Sequence, residues 1–279
     1  MRHLSTFILC ATLLVSALAP RPAHAQWDAT ESMMSNNSFS SGWVNPYDNT
    51  YTHAYDWMTA STPNYASYGY FSGNRSSRAA KRAARLKKMA PRQRTEMERF
   101  IKTNGTMYKP SKSLDTAGQV AAMFAQNTGV PAAKIKPAMQ ELWDAYVRQA
   151  KAQSAPSTDL ARTMAYCISA NYYYFTGGTG VPETQVAALR AKLRDALSED
   201  PKFRSMTGAQ KQRMNESMVI LTHFAALGFE VLAKKAPADK QSAVREGFKK
   251  LAGANLKGIL GVAPERVGFD KDGLVIKAV

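Results

Sequence analysis

The stretch DLARTMAYCISANYYYF, residues 159–175, decides the fold because it predicts a helix that is apolar on nearly every side. The residues Ser-Thr-Asp at 157–159 offer N-caps for this helix, and Gly-Gly at 177–178 ends it. A helix without a polar face is stable only when other helices surround it. We therefore expect it in the middle of a bundle, where the amide of Asn171 must find hydrogen-bond partners and fixes the helix register.

Periodic apolar residues predict five more helices around this central one. Their apolar positions fall within residues 120–127, 135–147, 182–197, 207–232 and 238–260. Two short alternating runs about Asp272 and Gly273 predict a small C-terminal β-hairpin. Because no strand–helix–strand alternation is present, residues 105–279 are expected to form an all-α antiparallel bundle of about six helices.

The N-terminal residues predict export. Arg2 and His3 precede an apolar run, and Ala23 and Ala25 supply a small-x-small cleavage pattern, so residues 1–25 are expected to be a signal peptide. Its removal lowers the net charge from +16 to +14, since it takes two arginines and no acidic residue. The remaining chain contains no apolar run long enough to predict a transmembrane segment. A periplasmic or secreted location follows from this interpretation.

Two segments of unusual composition separate the signal from the bundle. Residues 26–74 are polar and aromatic with almost no Leu, Ile or Val, which predicts a flexible arm without a packed core. Residues 75–104 follow as a basic helical linker, in which Pro91 ends one helix and can start the next.

The first part of this linker is a candidate polyanion site. Clustered Lys and Arg attract phosphate groups of lipid, lipopolysaccharide or nucleic acid, and export makes intracellular nucleic acid an unsuitable partner. The candidate residues are Arg78, Lys81, Arg82, Arg85, Lys87 and Lys88. The alternative is a solvated helix whose charge only favours solubility.

Few residues offer metal or thiol chemistry. Once residues 1–25 are removed, His53 and His223 are the remaining histidines and Cys167 is the remaining cysteine, so neither a disulfide nor a Cys/His zinc site is expected. Cys167 lies in the apolar helix without a cationic neighbour, which predicts a buried structural thiol. No cofactor motif is present either: the Gly-rich turn at 177–180 lacks the strand and the Gly-Lys-Ser/Thr of a phosphate loop.

One catalytic hypothesis remains. Acidic residues and a histidine recur every seven residues along the predicted helix at 207–232, as Glu216, His223 and Glu230. Two carboxylates beside an imidazole could bind a metal or transfer protons. At 1.5 Å per residue, however, neighbours are about 10.5 Å apart along the axis. Their line also lies opposite the apolar stripe, so we expect a solvated face.

Three stretches resemble an uncharacterised family of secreted bacterial proteins known as a domain of unknown function. They are DLARTMAYCISANYYYFTGG at 159–178, VPETQVAALRAKLRDAL at 181–197 and NLKGILGVAPERV at 255–267. The resemblance covers residues 114–276 and leaves the arm and the basic run outside. It implies a bacterial, periplasmic helical domain and brings no catalytic residues.

The sequence therefore favours an exported, non-enzymatic helical protein that binds a protein or an anionic envelope component. The alternative is an enzyme with a site between helices that uses Glu216 and His223. The composition does not determine the oligomeric state.

Overall fold

A computed structural model describes Phe71, residues 75–128 and residues 130–277, and it confirms the all-α bundle with a small C-terminal hairpin. The α-helices are α1 (Arg75–Lys88), α2 (Pro91–Lys102), α3 (Thr116–Thr128), α4 (Ala132–Ala152), α5 (Leu160–Phe175), α6 (Glu183–Glu199), α7 (Pro201–Ser205), α8 (Gly208–Leu227), α9 (Ala233–Lys235) and α10 (Gln241–Leu260). A π-helix (Gly228–Leu232) joins α8 to α9, and a 3₁₀ helix (Pro264–Arg266) precedes β1 (Val267–Asp270) and β2 (Gly273–Ile276). The predicted signal peptide and all of the predicted arm except Phe71 lie outside the described residues.

Two helices form the centre of the bundle. Helix α5 packs against α6, α8 and α10, as its apolar sequence predicts. Helix α8 packs against α3, α4, α5 and α10. Every residue of α8 from Met214 to Ala226 is buried, so this helix is as central as α5.

A polar network joins the three inner helices and confirms the prediction for Asn171. Its Nδ2 donates to Thr222 Oγ1 on α8 at 2.8 Å, and its Oδ1 accepts from Asn255 Nδ2 on α10 at 2.8 Å. Asn255 also donates to Leu221 O at 3.2 Å. Since buried amides are costly when unpaired, these bonds favour one register of α5, α8 and α10 over slipped alternatives.

Helix α8 continues through the π-helix into α9, so the helical segment extends to Lys235, three residues beyond the predicted end at Leu232. Among the described residues, Gly208–Lys235 is long and apolar enough to cross a membrane by length and composition, but 83% of its most apolar window is buried inside the bundle. Gly228 permits the close approach of α10, because a Cβ there would lie 2.1 Å from the Phe248 ring. The helix is therefore packed as the core helix of a bundle.

Local signals at the element ends agree with the sequence. Thr207 and Gln210 form a reciprocal capping box at the start of α8, and Asp159 caps α5 by accepting from Ala161 N. The strands pair antiparallel with Asp270 opposite Gly273, whose φ of +95° is accessible to glycine. On the outer edge of β2, Ile276 N donates to Phe71 O at 3.1 Å.

Candidate functional site

The polar face of α8 is covered by other parts of the chain. Gln212 Oε1 accepts from Ser111 N at 2.6 Å, and Gln212 Nε2 donates to Ser111 O at 3.1 Å and to Glu216 Oε1 at 2.8 Å. Asn215 Nδ2 donates to Tyr108 Oη and to the Ser157 carbonyl. The prediction that this face is solvated is wrong, because the segment between α2 and α3 and the helix α4 pack over it.

An open-sided cavity of about 270 Å³ lies where α3, α4 and α8 meet the segment before α3. Ser111, Lys112, Leu114, Thr116, Ala117, Gln140, Trp143, Glu216 and Ile220 line it. The cavity thus combines one aromatic ring, one carboxylate and several hydrogen-bonding groups, which is the mixture found in sites for small polar ligands.

Glu216 is the most deeply placed charged group of this cavity, with 9% of its surface exposed. Burial raises the pKa of its carboxyl. Hydrogen bonds from the Thr116 hydroxyl and the Gln212 amide partly offset that rise, whereas repulsion by the Asp115 carboxylate adds to it. Thr116 is itself 1% exposed, and apart from the Glu216 carboxylate its Oγ1 has no hydrogen-bond partner among the described residues. The base of the cavity therefore presents polar groups whose hydrogen-bonding capacity is incompletely used.

His223 does not share this cavity. Its ring is fully buried, Nε2 lies 2.8 Å from Tyr166 Oη, and Nδ1 lies 2.9 Å from the Leu142 carbonyl oxygen. Because a carbonyl only accepts, we assign the proton to Nδ1 and let Nε2 accept from the tyrosine. Burial lowers the pKa of His223 to about 4. Both ring nitrogens therefore make hydrogen bonds within the protein, and the structure does not join His223 and Glu216 into one reactive site.

Glu230, the third member of the predicted line, lies in the π-helix and is half-buried. Its Oε2 is 3.7 Å from Lys234 Nζ. Since a π turn shifts the phase of the helix, the seven-residue alignment drawn on a regular helix does not continue to this residue. Among the described residues, no group of three or more His, Cys, Asp or Glu side chains is arranged to hold a metal ion.

Cys167 is fully buried on α5, as predicted, and burial raises the pKa of its thiol to about 12. Because this pKa lies well above the ordinary value of 9, the thiol at pH 8 forms roughly a thousandfold less thiolate than an ordinary cysteine.

In a C10S chain, we expect Ellman's reagent to leave Cys167 unmodified in the folded protein and to modify it at once in about 6 M guanidinium chloride, since disulfide reagents react with the thiolate. Stoichiometric reaction of the folded chain within minutes would contradict this.

The basic helix α1 is docked onto α6. Arg82 Nε lies 2.8 Å from Glu199 Oε1 and Arg82 Nη1 lies 2.8 Å from Asp195 Oδ2, while Arg85 Nε lies 3.4 Å from Glu199 Oε2. The Glu199 side chain is 5% exposed. Two of the six candidate polyanion residues therefore pair with carboxylates of the bundle.

The other four candidates lie at the start, in the middle and at the end of α1. Lys87 and Lys88 are exposed at the end of α1. Arg78 and Lys81 lie within α1, but their side chains are outside what the structure describes. The next helix continues the exposed basic surface with Arg92 and Arg94.

Sequence reasoning missed the pairing of Lys211, which is 8% exposed on α8. Its Nζ donates to Gly105 O at 2.7 Å and lies 5.1 Å and 5.0 Å from the ring centroids of Phe100 and Phe203. A lysine in a polar stripe carries no local signal for such an environment, because the two rings come from α2 and α7.

Comparison with known proteins places the chain in a family. The sequence model of DUF6683, a family of unknown function, matches residues 5–277, so the chain belongs to that family. The match confirms the expected domain of unknown function and corrects its extent, because the arm and the basic run lie inside it. No curated protein and no solved structure matches the chain.

Proposed function

We propose that this member of DUF6683 is an exported, non-enzymatic helical protein that binds an anionic envelope component through its basic N-terminal helices. The observation that carries the proposal is the docking of α1 onto α6 through Arg82 and Arg85. The anchored helix has lost conformational freedom before any partner arrives, which reduces the entropic cost of binding.

The charge of the two helices supports an anionic partner. Helix α1 contains seven basic residues and no acidic one, and α2 contains four basic residues against two glutamates. The pairs with α6 use two of these cations, and Lys87 and Lys88 remain exposed beside Arg94. Such a surface attracts phosphate-bearing lipids by long-range fields that salt screens.

Export rests on the sequence of residues 1–25, and it directs this surface toward lipids or lipopolysaccharide of an envelope. The alternative of an inter-helical enzyme using Glu216 and His223 is the weaker proposal. His223 is buried between Tyr166 and the Leu142 carbonyl, so a substrate could reach it only after local unfolding.

Vesicle binding tests the polyanion proposal. We expect the chain to bind vesicles that contain phosphatidylglycerol at about 20 mM salt, and to bind them much less at about 500 mM salt, where charges are screened within a few ångströms. A K87Q/K88Q variant should bind about 30-fold more weakly, from roughly 1 kcal/mol for each lysine near an anionic surface. Vesicle co-sedimentation measures both effects.

The matched control is K250Q/K257Q, which removes two exposed lysines from α10 and changes the net charge equally. This control should bind nearly as well as the unmodified chain. Equal losses in both variants would assign the binding to net charge alone, and absence of binding at low salt would remove the proposal.

A further inference from the structure

We propose that the cavity between α3, α4 and α8 binds a small organic cation of the amino-alcohol or quaternary ammonium class, with Glu216 as its counter-charge and Trp143 as its aromatic wall. The proposal is independent of the polyanion surface, which lies on α1 and α2. It rests on the burial of the carboxylate, on the position of the ring and on a buried hydroxyl beside the carboxylate that no other described group contacts by a hydrogen bond.

The carboxylate is preorganised to receive a positive group. Glu216 is more than nine-tenths buried, and Gln212 Nε2 holds its Oε1 at 2.8 Å. A carboxylate in such surroundings interacts with a cation more strongly than an exposed one, because little water screens the pair. The second nearby carboxylate, Asp115, lies at the start of α3, and its Oδ2 is 2.6 Å from Lys136 Nζ.

The wall of the cavity suits an alkylated ammonium group. Trp143 is half-buried, and its ring is 5.7 Å from the Tyr146 ring at an interplanar angle of 34°, which holds it in place. Aromatic faces attract ammonium groups, and the attraction increases when the cation leaves water. Ile220 adds an apolar surface for the carbon atoms.

A hydrogen-bonding group at the base gives the site its second polar contact. Thr116 is 1% exposed, and apart from the Glu216 carboxylate beside it, its Oγ1 has no hydrogen-bond partner in the described part of the chain. A bound hydroxyl could donate to the Thr116 oxygen, whose acceptor capacity the protein does not use, and this favours an amino alcohol over a plain amine. Lys112 also lines the cavity, but its side chain is exposed, so solvent screens its positive charge.

The size of the cavity limits the ligand. About 270 Å³ lies near the lower end of small-molecule sites and is too small for a peptide or a nucleotide chain. The buried negative charge of Glu216 disfavours phosphates and carboxylates by direct repulsion. A compact cation is the class that fits both the volume and the charge.

Isothermal titration of the full chain with choline and with ethanolamine tests the inference. The carbon isostere 3,3-dimethylbutan-1-ol serves as a neutral probe, since it has the shape of choline without the charge. We expect at least one of the two cations to bind, and the isostere to bind about tenfold or more weakly. Absence of heat for both cations at millimolar concentration would overturn the proposal.

Two variants locate the site. E216Q preserves the shape of the side chain and an acceptor for Gln212, and it should weaken cation binding about tenfold or more. W143L should weaken it about threefold or more through loss of the ring face. The control E141Q removes a carboxylate of α4 that does not line the cavity, and it should leave the affinity unchanged.

The folded state of each variant is checked by its circular dichroism and melting temperature, and its vesicle binding should be unchanged. If E216Q and E141Q weaken cation binding equally, the effect is one of net charge and the proposed site is wrong. If E216Q binds the cations as tightly as the unmodified chain, the site is also wrong.

Discussion

Replacing Asp159 with Ala should lower the free energy of unfolding by about 2–3 kcal/mol, because the change removes a buried carboxylate that caps α5, accepts from the buried Thr106 hydroxyl and pairs with the half-buried Arg190. Asp159 is 1% exposed. Its Oδ1 accepts from Thr106 Oγ1 at 3.0 Å and from Ala161 N at 3.2 Å. Its Oδ2 accepts from Arg190 Nη2 at 2.8 Å.

These bonds connect three separate parts of the bundle. Thr106 belongs to the segment between α2 and α3, Ala161 belongs to α5, and Arg190 belongs to α6. The segment is also held by Leu160 N, which donates to Thr106 O at 3.1 Å. Loss of the carboxylate therefore loosens the segment that covers the polar face of α8, and urea denaturation followed by far-ultraviolet circular dichroism measures the cost.

Asp115→Ala is the matched control for this prediction. Asp115 also accepts from a helix N-terminus, at Gly118 N, and also pairs with a cation, but it is exposed. An exposed cap of this kind contributes about 1 kcal/mol. Equal destabilisation by the two changes would show that Asp159 acts only as a helix cap and that its burial adds nothing to its effect on stability.

The parts of the fold that the sequence predicted are those with strong local signals. The apolar pattern of α5 predicted its central place, and the need of Asn171 for partners predicted bonds that the structure supplies from Thr222 and Asn255. The Asp-Gly pair near the C-terminus predicted the hairpin, although the turn residues are Lys271 and Asp272. In each case the residue type and its neighbours sufficed, without knowledge of distant contacts.

The candidate site could not be predicted in the same way. A helical wheel of α8 shows a polar stripe through Gln212, Glu216 and His223, and a polar stripe is ordinarily solvated. It is buried here because residues about one hundred positions away supply the partners, such as Ser111 for Gln212. Periodicity reports which side chains share a face, and it does not report which part of the chain will cover that face.

His223 should make the stability of the bundle depend on pH. Burial lowers its pKa in the folded protein to about 4, whereas an unfolded histidine titrates near 6.5. Below pH 6.5 the unfolded chain binds a proton that the folded chain does not bind, so the free energy of unfolding falls as the pH decreases. The loss is complete near the folded pKa of about 4 and amounts to roughly 3 kcal/mol, because every tenfold change in proton concentration between the two pKa values contributes about 1.4 kcal/mol.

A comparison with H223Q isolates this effect from the other titrating groups. Glu216 and Asp195 have pKa values raised by burial, so their protonation stabilises the folded state as the pH falls and opposes the effect of His223. Both groups are present in H223Q, where glutamine can still donate to the Leu142 carbonyl. The difference in unfolding free energy between the two chains should therefore shrink between about pH 7 and pH 5 by about 2 kcal/mol.

The ring itself provides an independent measurement. In the folded chain, the His223 imidazole resonances should keep their neutral positions at about pH 5, where an exposed histidine is almost fully protonated. Protonation would require the Tyr166 hydroxyl to stop donating to Nε2, because an imidazolium nitrogen cannot accept. Titration of these resonances near the ordinary histidine pKa of 6.5 would mean that water reaches the ring, and the enclosed geometry that separates His223 from Glu216 would then be wrong.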